Sequence, residues 1–104
     1  MYQLNYLPSA LQDMKEIAYY ISFELLNPSA ADKISARLIK SAEDMTMFPY
    51  ANPVYQTIRT LRKAYRKLLV ENYLMFYFVD ETCKTVIIAH VRYAKCDHGR
   101  HLSE

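Results

Sequence analysis

The sequence predicts an α+β chain in which an antiparallel helical hairpin packs on one face of a mainly antiparallel sheet, in the order β-α-α-β-β-β-β. Three observations predict it. Two stretches of helical periodicity lie in the first half, a series of strand-like runs fills the second half, and an interruption of only Asn27-Pro28 separates the two helical stretches. With a single Gly in 104 residues, the turns fall to Pro, Asn, Asp and Ser.

Tyr2 to Leu7 alternates as a short first strand. Ser9 followed by Gln12 has capping-box spacing, and apolar residues recur at Leu11, Met14, Ala18, Ile21 and Leu25, which predicts a first helix from about Ala10 to Leu26. Pro28 ends it, because the residue before a proline avoids the helical region. Ser29 and Asp32 repeat the capping-box pattern, and Ile34, Leu38, Ala42 and Met45 mark the core face of a second helix that ends before Pro49. The connection is so short that the helices must fold back on each other.

Thr57 to Arg62 and Tyr65 to Val70 read as strands, and Glu71-Asn72 as a two-residue hairpin turn in which Asn72 tolerates positive φ. Tyr73 to Val79 is apolar on both faces, as a central strand is. After a polar loop at Asp80 to Lys84, Thr85 to Tyr93 forms the last strand, with Ile87, Ala89 and Val91 facing one way and His90 and Arg92 the other. The whole chain, 1–104, reads as one domain of a size that covers one sheet with one helical layer.

Composition excludes several classes. Hydrophobic residues make up 52% and charged residues 23%, which separates the chain from disordered proteins. A net charge of +2 is too mild to announce nucleic-acid binding by itself, so an electrostatic argument must rest on position. No run reaches the roughly 18 apolar residues of a membrane span, and the start lacks a signal-peptide pattern. Cys83 and Cys96 have no CxxC spacing, so two free thiols in a reducing cytoplasm are expected. No phosphate loop, GxSxG or HExxH motif is present, and no cofactor is expected.

The candidate functional residues are basic and lie in the sheet half. Arg59, Arg62, Lys63, Arg66 and Lys67 fall on two neighbouring strands, and Arg92, Lys95 and Arg100 follow near the end. Alternation along strands lets Arg59 share a face with Arg66. Were Arg92 to project to the same side, one sheet face would carry arginines among tyrosines, a surface suited to phosphates and stacked bases. An ordinary solvated sheet face fits the same pattern. His98 and His101 beside Asp97 have the residue types of a metal or acid–base site, but a solvated tail is the expectation, and no metal site is assigned. His90 reads as a packed, satisfied histidine. The 10 tyrosines read mostly as packing, with Tyr19, Tyr20, Tyr73 and Tyr77 under apolar cover.

Over nearly its whole length the chain resembles the RelE/ParE toxin superfamily. The resemblance is carried by Pro8-Ser9-Ala10-Leu11-Gln12-Asp13-Met14-Lys15-Glu16-Ile17-Ala18-Tyr19-Tyr20-Ile21, Asn27-Pro28-Ser29-Ala30-Ala31, Phe48-Pro49, Ile58-Arg59, Asn72-Tyr73-Leu74-Met75-Phe76-Tyr77-Phe78-Val79-Asp80 and Val91-Arg92-Tyr93-Ala94-Lys95-Cys96-Asp97. Their order and spacing look most like the ParE, plasmid-stabilisation branch. The resemblance implies a helical hairpin on a curved antiparallel sheet, and a cytoplasmic toxin silenced by a cognate antitoxin that also binds operator DNA.

The superfamily's two activities imply different residues. RelE-type members are ribosome-dependent mRNA endonucleases with a basic catalytic set. ParE-type members poison DNA gyrase and lack that set. The RelE arginine after the tyrosine of the central strand is Leu74 here. Of the two alternating basic positions on the preceding strand, Arg66 keeps the first and Leu68 stands at the second. The C-terminal arginine falls at Cys96. Losing one charge-stabilising donor can cost about a hundredfold in rate, so three losses favour the gyrase reading. A RelE- or YoeB-like nuclease would have to work through Arg66, Arg92, Tyr93 and Lys95. Target contact, to gyrase or to ribosome and mRNA, is expected through Arg59, Arg62, Arg66, Lys67, Arg92, Tyr93 and Lys95. A third reading is a non-toxic relative that serves only as an antitoxin partner or co-repressor.

Overall fold

The computed structural model describes residues 2–55 and 64–95. Strand β1 (Gln3–Tyr6) leads into helix α1 (Pro8–Tyr19), a π-helical turn over Tyr20–Glu24, and helix α2 (Pro28–Met45). Strands β2 (Arg66–Val70), β3 (Tyr73–Asp80) and β4 (Thr85–Tyr93) follow. They form a four-stranded sheet in the order β1-β4-β3-β2, with β1 parallel to β4 and the other pairs antiparallel. This is the predicted helical hairpin on a mainly antiparallel sheet. The strand expected at Thr57 to Arg62 lies outside the described residues, as do Arg59, Arg62, Lys63, Arg100, Cys96, Asp97, His98 and His101.

Both helices start two residues earlier than the capping-box readings placed them. Pro8 and Pro28 occupy the first helical turn, where a missing N–H costs nothing. Leu7 therefore caps α1 without a side-chain bond. Ser9 is released to donate its hydroxyl to the Ala89 carbonyl at 2.7 Å. Asn27, not Ser29, caps α2, its Oδ1 accepting from the Ala30 N–H at 3.1 Å. Asn27→Ala is expected to destabilise the fold by about 1 kcal/mol, and Ser29→Ala by much less, in urea unfolding.

The core lies between the helices and the sheet. On α2 the predicted face holds: Leu38, Ala42 and Met45 are buried and Ile34 packs against them. On α1 the buried side is Ala10, Met14, Ile17 and Ile21, and Leu11 and Leu25 are exposed. Helical register is lost at the π turn, where the Leu25 N–H reaches the Tyr20 carbonyl at 3.1 Å, and Leu25 is turned outward after it; Leu11 is already exposed ahead of that turn.

The last strand contains a bulge. Phe76 pairs with His90 and Tyr77 with Ile88, which leaves Ala89 as the extra residue. Val86 and Ile88 face the helices before the bulge, and Val91 faces them after it. Ala89 packs on the other side with Phe76 and Tyr65. The simple alternation expected for Ile87, Ala89 and Val91 therefore breaks in mid-strand. At the β2–β3 turn the positive φ belongs to Glu71 (55°) rather than to Asn72. Arg37 on α2 holds that Glu71 carboxylate at 3.2 Å.

Candidate functional site: a tyrosine-lined groove beside a clamped strand edge

β1 ends at Tyr6, opposite Ile88, so β4 continues beyond it without a strand on that side. Helix α1 takes the strand's place. Ser9 and Asp13, one helical turn apart, supply the missing partners: Ser9 donates to the Ala89 carbonyl, and Asp13 Oδ2 accepts from the Val91 N–H at 3.0 Å. The same carboxylate meets Arg92 Nη1 at 2.6 Å and lies 3.6 Å from His90 Nδ1. His90 is buried, as expected of a packed histidine, and its Nδ1 lies 3.4 Å from Arg92 Nη2. Burial pushes the Asp13 carboxyl up, but hydrogen bonds from His90, the Val91 N–H and Arg92, with the arginine's charge, outweigh it and hold the group below its ordinary value.

Next to this clamp a groove of about 810 Å³ opens between the end of α1, the start of α2, the start of β3 and the end of β4. Ile17, Ile21 and Ile34 supply apolar lining, and Tyr20, Tyr73 and Tyr93 converge on it. The Tyr73 and Tyr93 rings meet edge to face, 5.8 Å between centroids. Burial, then the neighbouring Tyr93 and Tyr20, push the Tyr73 hydroxyl up. Beyond the groove the hairpin tip bears Tyr19, Phe23 and Leu26, and Leu26 is 83% exposed at φ 53°. A leucine in the left-handed region costs about 1 kcal/mol or more. The tip thus spends backbone strain and apolar exposure together, the combination expected of a docking surface.

Tyr19 and Tyr20 were expected under apolar cover, and both are exposed. The groove was missed by sequence reasoning because it depends on the π turn, and nothing in the spacing of Tyr19 to Leu26 separates that turn from a continuing helix. The tyrosines themselves were the available signal.

Among the described residues the predicted basic residues do not converge. Arg66 pairs with Tyr77 and shares its helix-side face, whereas Arg92 pairs with Leu74 on the opposite face. The conditional picture of one face carrying both arginines therefore fails. Arg66 Nη1 donates to the Asn52 carbonyl at 2.8 Å, and the guanidinium lies 4.9 Å from the centroid of the Tyr50 ring. Its role is to fasten the segment after α2 to the sheet. Tyr77 assists by donating to the Pro49 carbonyl at 2.6 Å. In the loop between β3 and β4, Glu81 accepts from Lys84, Tyr50 and Tyr2, bonds that bring its carboxyl down to about 2. Lys67 lies on the face of Arg92, its Nζ 5.9 Å from the Tyr55 ring. Tyr93 belongs to the groove, and Lys95 is exposed just beyond β4.

Among the described residues no group of three or more His, Cys, Asp or Glu is placed to hold a metal ion, and no helix is long and apolar enough to cross a membrane. Cys83 is exposed with a free thiol.

Two helices on a four-stranded sheet, with a tyrosine-lined groove beside the hairpin tip, define a small α+β domain. The chain belongs to the family described as the ParE toxin of the type II toxin–antitoxin system parDE, whose model matches residues 4–97. No curated protein matches it in sequence. Among solved structures it is similar to the chromosomal ParDE system of P. aeruginosa, with TM-score 0.71 and 15% identity over 91% of this chain and 98% of that one. It is also similar to the RelBE2 toxin–antitoxin complex of Mycobacterium tuberculosis, with TM-score 0.63 and 18% identity over 88% and 96%. The archaeal RelE–RelB complex of Pyrococcus horikoshii gives TM-score 0.59 and 12% identity over 90% and 96%. At these identities the structural likeness shows the shared fold alone.

Proposed function

We propose that this chain is the toxin of a type II pair, that it arrests growth in the cytoplasm by binding DNA gyrase rather than by cutting RNA, and that a cognate antitoxin, itself bound to operator DNA, neutralises it. The observation that carries this reading is the fate of the basic residues. Arg66 and Arg92 lie on opposite faces of the sheet, and each is engaged, one by backbone carbonyls and the other by Asp13. RNA cleavage would need several cations around one phosphate, with a base aimed at the 2′-hydroxyl. The ParE family match and the likeness to toxin–antitoxin structures support the rest.

The test is induction of the chain without its partner in a bacterial host, with a gyrase cleavage assay beside primer extension on abundant messages. Trapped gyrase–DNA breaks with intact messages are expected, and Arg66→Ala should arrest growth like the parent. Codon-positioned cuts in translated messages would replace this reading with the nuclease. Normal growth on unopposed expression would leave a non-toxic relative.

A further inference from the structure

The groove has a different electrostatic character from the molecule as a whole. The chain is net positive, yet the ionisable lining of the groove is Asp13, Glu16 and Arg92. Asp13 and Arg92 neutralise each other at 2.6 Å. Glu16 accepts from the Gln12 amide at 3.0 Å and has no cation within ion-pair distance among the described residues. What remains is one negative charge beside three tyrosines. Tyrosine faces are electron-rich, and a ring cluster with a carboxylate at its side attracts an ammonium or guanidinium group. The volume, about 810 Å³, is in the range of sites that enclose several side chains of a ligand.

We propose that the groove takes an amphipathic helical segment of the antitoxin through one Lys or Arg side chain, set among Tyr20, Tyr73 and Tyr93 beside Glu16, with apolar residues of the same segment against Ile17 and Ile21. The assignment to an antitoxin rests on the function proposed above, but the site itself stands on the groove's chemistry. An acidic antitoxin, which bulk charge alone would favour, therefore carries a basic anchor at this point. The helix-in-groove arrangement supplies affinity through apolar burial, and the cation sets the register.

The test uses the full-length chain from cell-free synthesis and three synthetic amphipathic peptides of about four helical turns. They are identical except for Arg, Gln or Glu at one position bordering the apolar face. By fluorescence anisotropy the Arg peptide should bind about tenfold more tightly than the Glu peptide, with Gln between them. Glu16→Lys should invert that order, and Tyr20→Ala should remove the advantage of Arg over Gln. Both residues are exposed, so neither change threatens the core. Equal binding of the three peptides, preference for Glu by the parent chain, no inversion in Glu16→Lys, or no binding of any peptide at millimolar concentration would each overturn the proposal. Gyrase poisoning is read in a separate assay, so failure of the cation site and failure of the gyrase reading are told apart.

Discussion

Replacing Asp13 by alanine is expected to destabilise the protein by about 3 kcal/mol, because it strips partners from a buried backbone donor and from a guanidinium at once. The side chain is 12% exposed and serves the Val91 N–H, Arg92 and His90 together, so no water replaces it easily. Asp13→Asn keeps an acceptor for Val91 but loses the charge, and should cost about half as much. The effect has a pH signature. The folded carboxyl titrates below its ordinary value of 3.8, so the unfolded chain binds the proton first as pH falls. The stabilisation is therefore complete above the ordinary value and drains away as pH drops through it towards the folded pKa. Urea midpoints of parent and Asp13→Ala should differ widely at pH about 7 and by less at pH about 3. An equal gap at both values would show that the carboxylate's charge contributes nothing.

Leu38→Ala should cost about 3 kcal/mol, by removing a side chain that is 1% exposed and leaving a cavity between α2 and the sheet. In a chain of this size that loss lowers the melting temperature by about 12 °C or more. Ile39→Ala, one position along the same helix but 43% exposed, should cost under about 1 kcal/mol. Thermal melts of the two variants side by side separate core burial from helix propensity, since both exchange a branched aliphatic residue for alanine.

The contrast between these two sites shows what patterning conveys. Leu38, Ala42 and Met45 repeat at three and four residues because a straight helix turns 100° per residue, and that geometry needs no knowledge of the rest of the molecule. Thr85 to Tyr93 was legible for the same kind of reason. The end of the first helix was misread because nothing in the spacing of Tyr19 to Leu26 separates the π turn at Tyr20–Glu24 from a continuing helix. The proline at each helix start outranked the serine after it, so two capping boxes went unused. The bulge at Ala89 follows from pairing with β3 across the hairpin, and it decides which face receives Arg92. Charge clustering in the sequence located the arginines without saying on which side of the sheet each would stand. Asp13 carried no local signal at all, because its partners lie on the last strand.

That long reach has a consequence for how the protein is made. The contact between Ser9 and Ala89 spans 80 residues, and among the described residues β1 pairs with β4 alone. At roughly 5–20 residues per second, a ribosome needs about 4–16 s to bring the second half of the contact into being after the first. During that interval the helical hairpin can form from local interactions, but Val91, Arg92 and Tyr93, which complete the groove wall, do not yet exist. The groove wall is thus completed in one late closing step.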